Sequence, residues 1–246
     1  DPMNMARGKG SYTLVSPSYS PWRRSLEARG LYLTDQLTFG PWDLTLGLRY
    51  DDFEVDYFDP TITSSEESRV EGVQLSPRIS LLRRLNVDQS VYFSWLTGFQ
   101  PPDPWTSAPI YGGPFDPRES ELFEIGYKQL LFHGRAMFVA SIYQLTLNNE
   151  IVYANDLSNP DLYIQRGEEQ ATGLELEFSG KVTESLQLIA NYAYNDAEIV
   201  DDPDPTLEGK RKENAPEHSA TLWARYDLNP AWGFGAGATY VSERAT

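Results

Sequence analysis

Few residues in this chain could perform catalysis or bind a metal. The sequence contains no cysteine, which excludes disulfides and thiolate ligands, and only two histidines. His133 lies in a predicted hairpin turn and His218 at a predicted strand start, and neither has a histidine or glutamate at metal-ligand spacing. Ser219 follows His218, but consecutive strand residues point to opposite faces, which argues against a Ser–His nucleophile. We therefore predict no catalytic residues, no enzyme and no histidine metal site.

An acidic run at residues 201–204, with the sequence DDPD, is the other candidate for binding a cation. It lacks the alternating oxygen ligands and the glycine of a dedicated calcium loop. Runs of this kind usually form solvated loop charge. The sequence therefore predicts no metal site here either.

Aromatic residues in a long loop form the candidate ligand site. Residues 101–118 read PPDPWTSAPIYGGPFDPR, and this composition argues against a simple flexible tether. Two interpretations stay open: the loop packs its rings against its own scaffold, or it forms one wall of a small-molecule site. The candidate binding residues are Phe99, Gln100, Trp105, Tyr111 and Phe115.

Composition limits the partners of the protein. The net charge of −16 makes nucleic acid an unfavourable partner, because phosphate binding requires a basic surface. No apolar run of about 18 residues exists, so the sequence predicts no transmembrane helix. The first ten residues, DPMNMARGKG, contain no apolar segment of a signal peptide, so an exported protein would be a mature piece or an internal fragment.

A period of two dominates residues 167–198 and predicts two strands joined by a short polar turn. A helix from Leu186 also fits, through Ile189, Ala190 and Ala193, but the alternating partner strand favours the hairpin. Carboxylates and amides occupy the positions between the apolar ones. The apolar positions are Leu174, Leu176, Phe178, Leu186, Leu188, Ala190, Tyr192 and Tyr194.

The same pattern recurs along the chain and predicts about ten strands whose connections alternate between short and long. Short turns are predicted near residues 40, 86, 133, 183 and 230, with a two-residue hairpin turn at His133–Gly134. Long loops are predicted near 62, 110, 158 and 208, of which two are acidic and extend from about residue 54 to 69 and from 199 to 216. Short turns at one end and long loops at the other are typical of bacterial outer-membrane barrels. Aromatic residues, 13% of the chain, occur near both ends, as in interfacial girdles. A transmembrane barrel is therefore favoured over a soluble sandwich or propeller.

In such a barrel the polar face of the strands would line the lumen. Charged residues predicted on this face are Arg49, Arg78, Glu124, Lys128, Glu175 and Glu177. Two interpretations again stay open: a paired, hydrated interior, or a wall that holds a plug.

Seven segments together resemble TonB-dependent siderophore receptors of the ferrichrome-receptor type. The segments are GLYLTDQLTF, WDLTLGLRYDDF, LSPRISLL, SVYFSWLTGFQPP, PRESELFEIGYK, RGEEQATGLELEFSGKVTESLQLIANYAYNDAEIV and APEHSATLWARYDL. The resemblance covers about residues 28–244. Several motifs at matching spacing make the resemblance more specific than any single one.

The resemblance implies an all-β fold: an antiparallel transmembrane β-barrel section, about ten strands of a barrel of about 22 with a plugged lumen. Residues 1–246 would form a partial barrel domain, with 1–22 as a loop lead-in, while the plug, the TonB box and the closing strands lie outside the chain. It further implies an outer-membrane location among lipid and lipopolysaccharide, a ferric siderophore as transported ligand without a covalent cofactor, and the TonB complex as a partner through the plug.

Three other functions remain open. The same mechanism could carry another cargo, such as cobalamin, a different metal chelate or a saccharide. A passive porin would share the barrel but lack a plug. A barrel-embedded hydrolase is disfavoured by the two isolated histidines.

Overall fold

The structure, a computed structural model, describes residues 23–58, 68–103, 106–154 and 156–245. The predicted lead-in at 1–22 therefore lies outside the described residues. The described residues form one antiparallel sheet of ten strands, in which each strand pairs with the next along the chain. The strands are β1 (Arg23–Phe39), β2 (Trp42–Phe58), β3 (Ser68–Arg84), β4 (Gln89–Gln100), β5 (Arg118–Leu131), β6 (Ala136–Tyr153), β7 (Tyr163–Lys181), β8 (Leu186–Asp201), β9 (His218–Asn229) and β10 (Trp232–Val241). The predicted all-β fold of about ten antiparallel strands is confirmed.

Connections between the strands alternate in length as predicted. The short ones are 40–41, 85–88, 132–135, 182–185 and 230–231, and the long ones are 59–67, 101–117, 154–162 and 202–217. A 3₁₀ turn at Pro109–Tyr111 lies in the β4–β5 connection. Within the described ranges, no helix is long and apolar enough to cross a membrane.

Three predicted strand ends are wrong. The acidic segment 54–69 is not one loop, because β2 continues to Phe58 and β3 begins at Ser68. The loop predicted from residue 199 begins only after Asp201, the last residue of β8. The turn at His133 has four residues rather than two, with positive φ at three of them, because the β5–β6 ladder ends at the pair Leu131 and Ala136.

One face of the sheet is apolar and largely exposed. Leu31 and Leu33 of β1 keep 75% and 72% of their surface accessible, values that no soluble core would show. A row of directly paired apolar residues crosses eight strands: Leu37, Leu44, Leu81, Phe93, Ile125, Ile142, Leu174 and Tyr194. The row lies two residues from the short-turn end of β1 but eight residues from that end of β8. Such a stagger is what tilted strands of a closing barrel require.

On the polar face, large side chains lie flat against glycines of the neighbouring strand. A Cβ added to Gly126 would approach the Tyr92 ring to 2.3 Å, and one added to Gly173 would approach the Tyr143 ring to 2.5 Å. Each glycine is the direct cross-strand partner of the residue that covers it. Since glycine is the residue that permits such close approach, these sites keep bulky groups along the wall.

The polar face becomes apolar near the long loops. Phe53 and Val55 of β2 are buried with Val70 of β3, and Phe99 of β4 packs against them. The rings of Phe53 and Phe99 lie 5.6 Å apart between centroids. This cluster supports the long-loop end of β2–β4, where the β3–β4 ladder has already ended at the pair Arg78 and Leu96.

The contact between Tyr92 and Gly126 predicts a measurable coupling. Gly126→Ala forces the ring away from the wall, so we expect the free energy of unfolding to fall by about 1–3 kcal/mol, as for other overpacked sites. Urea unfolding of the detergent-folded protein measures it. In a Tyr92→Ala background the same substitution should be nearly neutral; an equal loss in both backgrounds would contradict the contact.

Candidate functional site

All six charged residues predicted on the lumen side lie on the polar face. On β2 and β3, Arg49 pairs with Ser76 and Arg78 pairs with Gly47. The three glutamates lie on β5 and β7, on the face that also carries Tyr92, Ser141 and Asn191. The two arginines therefore occupy a different part of this face from the three glutamates, and Lys128 of β5 lies with the glutamates. This arrangement supports a hydrated wall, and whether the six contact a plug stays a prediction.

The basic part of this face is largely paired. Arg49 donates two hydrogen bonds of 2.7 Å to Asp51, whose side chain is buried. Arg78 lies across Gly47 and donates to the hydroxyl of Thr34 at 2.8 Å. The two guanidinium groups are therefore fixed along β2 and β3.

The acidic part contains one hydrogen-bonded carboxylate and two that have no ion pair among the described residues. The hydroxyl of Tyr92 donates to Glu124, and the ammonium of Lys128 lies 4.7 Å from the centroid of the Tyr92 ring. Glu175 and Glu177 are exposed, and among the described residues neither forms an ion pair. This part of the wall therefore offers negative charge to whatever occupies the lumen.

The candidate ligand residues of the β4–β5 region divide into packed and accessible ones. Phe115 is buried and Phe99 packs on the Phe53 cluster, so both support the loop. Tyr111 ends the 3₁₀ turn with part of its surface accessible, and Gln100 is exposed and accepts a hydrogen bond from Arg118. Trp105 lies outside the described residues. The structure thus supports the self-packing interpretation for two rings, and it leaves Gln100 and part of the Tyr111 side chain exposed to solvent.

Both ends of the loop 101–117 are fastened by ion pairs. Arg24 of β1 donates to Asp103 at 2.7 Å, and Arg118 of β5 donates to Glu150 of β6 at 2.6 Å. The first pair is exposed, and such pairs contribute about 0–1 kcal/mol. The loop is therefore a structured feature of the rim, in agreement with its composition.

A buried ionic network beneath the β8–β9 loop could not be predicted from the sequence. Arg166 contacts Asp202 at 2.5 Å and Glu169 at 2.6 Å, and Lys212 donates to the second oxygen of Glu169. The side chains of Glu169 and Asp202 are 3% and 2% exposed, so each depends on its cationic partners. No motif joins these residues, because they come together only when β7, β8 and the loop pack.

The acidic run at 201–204 is accounted for by local contacts. Asp202 belongs to the buried network, and Asp204 accepts hydrogen bonds from the N–H and hydroxyl of Thr206 at 2.9 and 2.8 Å. These bonds lower the pKa of Asp204 below its ordinary value. In the described part of the chain, no three His, Cys, Asp or Glu residues are grouped to hold a metal ion.

His218 lies on the apolar face, near its long-loop end. Its Nδ1 is 3.0 Å from the hydroxyl of Tyr192, and its ring lies 5.3 Å from that of Tyr194. Ser219 is paired with Ala193 and therefore lies on the opposite face. This aromatic group is typical of a membrane-interface belt, where amphipathic rings concentrate.

Together these features define a class of protein. A staggered antiparallel meander with an exposed apolar outer face, a charged inner face and long loops at one end forms the wall of an outer-membrane β-barrel. The long loops then mark the extracellular end.

Similarity to known proteins identifies the family. Residues 3–246 match the family model described as TonB dependent receptor-like, beta-barrel. The chain is 32% identical to the metal-pseudopaline receptor CntO of Pseudomonas aeruginosa over 89% of its length and 32% of that protein. It is 30% identical to the ferrioxamine receptor of Yersinia enterocolitica, over 95% of this chain and 32% of that one. The chain therefore belongs to the TonB-dependent receptor β-barrel family and lies in the bacterial outer membrane.

Solved structures show the same fold. The siderophore receptor PiuA from Acinetobacter baumannii superposes with a TM-score of 0.78 and 25% identity, over 89% of this chain and 34% of that one. The chain spans about a third of the length of the curated relatives it matches. These relatives are receptors, so the expectation that the protein is not an enzyme is confirmed.

The ionic network predicts how firmly the β8–β9 loop is held. Arg166→Ala leaves two buried carboxylates short of a cation, so we expect the loop to open and trypsin to cut after the exposed Lys210 and Arg211 at least about tenfold faster, as a local loss above 1.4 kcal/mol requires. Peptide mapping of the folded protein locates the cuts. Arg225→Ala, which removes an exposed pair with Asp227, is the matched control and should leave the rate unchanged. Equal rates in wild type and Arg166→Ala would contradict the role of the network.

Proposed function

We propose that the chain is part of the barrel of a TonB-dependent transporter that takes up a ferric siderophore. The observation that supports this proposal is the family membership, together with similarity to relatives named as a ferrioxamine receptor and a metal-pseudopaline receptor. The long loops form part of an extracellular vestibule, in which Gln100 is exposed and Tyr111 is partly exposed. A ferrichrome-type cargo has no particular support among these relatives, so the proposal names only the class of ferric siderophores.

The lumen wall supports the second part of the proposal, a plug that couples the barrel to the TonB complex. Glu175 and Glu177 face the lumen without an ion pair among the described residues, which favours an occupant with basic groups. The flat side chains of Tyr92 and Tyr143 leave space for a folded body. In this proposal the plug lies in the part of the receptor outside this chain, and the energised TonB complex moves it to release cargo inward.

A second candidate cargo is a metal chelate that is not restricted to iron. The 32% identity with a metal-pseudopaline receptor favours it. Cells that express the full-length receptor as their only transporter of this class, supplied with matched chelates of ⁵⁵Fe and ⁶⁵Zn, separate the two. Selective ⁵⁵Fe uptake supports the siderophore proposal, and ⁶⁵Zn uptake at equal rates supports the alternative.

The vestibule predicts the effect of removing its best-defined loop. Replacing residues 101–117 by a short Gly-Ser turn in the full-length receptor should abolish uptake of the ⁵⁵Fe-siderophore, because Tyr111 and the rest of the proposed vestibule wall next to Gln100 are lost. Heat-modifiable migration on gels should stay normal, since the strand ladders on either side remain. Unchanged uptake by a correctly assembled variant would remove this loop from the proposed site.

A further inference from the structure

The β4–β5 loop and the β6–β7 hairpin are joined by contacts that neither the family nor the sequence motifs assign. We propose that Gln165 of β7 is a positioning residue that locks the loop 101–117 onto this hairpin. The two extracellular connections, 101–117 and 154–162, then form one rigid recognition surface. This inference rests on the proposed function for its consequence, but its geometry stands independently of any cargo.

The amide of Gln165 pairs with the backbone of Asp116 in both directions. Its Nε2 donates to the carbonyl of Asp116 at 2.8 Å, and its Oε1 accepts from the N–H of Asp116 at 3.1 Å. A side-chain amide that meets both groups of one residue acts as a strand partner would. The last residues of the loop are therefore fixed where the loop enters β5.

A local gap in the β6–β7 ladder completes this clamp. Asn149 has a φ of 62° and does not pair with Gly167 opposite it, although the flanking pairs, Asn148 with Glu168 and Glu150 with Arg166, keep the register. Its carbonyl, freed from the ladder, accepts a third bond from Gln165 at 3.4 Å, and its Nδ2 donates to the carbonyl of Pro117 at 3.0 Å. Asparagine tolerates this left-handed conformation better than most residues, which fits its place here.

The apex of the loop also rests on the hairpin. Gly112 has a φ of 106°, and a Cβ there would lie 2.4 Å from the carbonyl oxygen of Tyr163 and 3.2 Å from Leu162. Tyr163 is buried, with its ring 4.5 Å from that of Tyr153. The loop is thus held at its apex and at its C-terminal end by the same two strands.

A rigid double-loop surface changes how a ligand is bound. Ile110 on one connection is 49% exposed and Leu157 on the other is fully exposed, so each connection offers apolar contact. Because the clamp fixes both connections before binding, a ligand that touches both does not have to order them. Gln165 would then influence affinity without touching the ligand.

Spin labels test the clamp directly, because residues 1–246 contain no cysteine. In the full-length receptor, with cysteines elsewhere replaced by serine, labels at Ile110→Cys and Leu157→Cys report the distance between the connections by double electron–electron resonance. We expect one narrow distance in the parent protein. We expect a broadened or multimodal distribution in Gln165→Ala, and also in Gln165→Glu, whose carboxylate cannot donate to the Asp116 carbonyl.

Gln144→Ala, an exposed position on the apolar face of the same hairpin, is the matched control and should keep the narrow distance. A narrow distribution in both Gln165 variants, or a broad one in the parent protein, would overturn the proposal. No cargo is present in this measurement, so its failure is distinguishable from failure of the uptake proposal.

Uptake of ⁵⁵Fe-ferrioxamine B, if the receptor transports this probe, measures the effect on affinity. In Gln165→Ala we expect the probe concentration that gives half-maximal uptake to rise about tenfold, with an unchanged maximal rate. A tenfold change is equivalent to losing one or two net hydrogen bonds.

Discussion

Lipid cannot hydrogen-bond to a peptide group, so every N–H and C=O of a membrane strand must find a partner in the next strand. In this protein each strand from β1 to β10 pairs with the next along the chain, which meets that requirement for the membrane-spanning strands between the two sheet edges. The ladder also determines the direction of the side chains, because alternate residues of a strand point to opposite faces of the sheet, here lipid and lumen. The side chains of one set face lipid and are mostly apolar. Those of the other set face the lumen, where they contact water and any body that occupies it. The fold, the stagger of the strands and the two kinds of connection all follow from this division.

The division also explains where the protein places its ionic groups. Along the inner wall, Arg49 and Arg78 are anchored by local partners, whereas Glu175 and Glu177 form no ion pair within the described ranges. Above the membrane, charge is used differently: the Arg166 network is buried and holds a loop. Buried pairs of this kind are poor sources of net stability but strongly define which arrangement is allowed. The inner wall therefore keeps carboxylates that a body in the lumen can contact, while ion pairs hold the loops in one arrangement.

Alternation made most of the fold predictable, and its failures have one cause. The hairpin of β7 and β8 was predicted correctly because most of its positions alternate between apolar and polar, with Ile189 and Ala193 as exceptions on the polar face. The segment 54–69 was misread because charged residues on the outer face, such as Glu54 and Arg69, pair with each other above the membrane and continue the strand. Inner residues Phe53 and Val55 carried the alternation there, but the acidic composition concealed it.

The candidate site was less predictable than the fold. Sequence placed the charged lumen residues on the correct face, since that needs only the strand period. It could not separate the supporting ring of Phe115 from the accessible ring of Tyr111, because burial in a loop depends on distant strands. The contacts of Gln165 and Arg166 reach across long sequence separations for the same reason, and no local pattern marks them.

The glycines under Tyr92, Tyr143 and Arg78 give the barrel a calibre that depends on residues without side chains. Adding one methyl group at such a position would push a whole ring or guanidinium inward and narrow the bore. The clearance around any body inside the barrel is therefore controlled from the wall, by positions that such a body never touches.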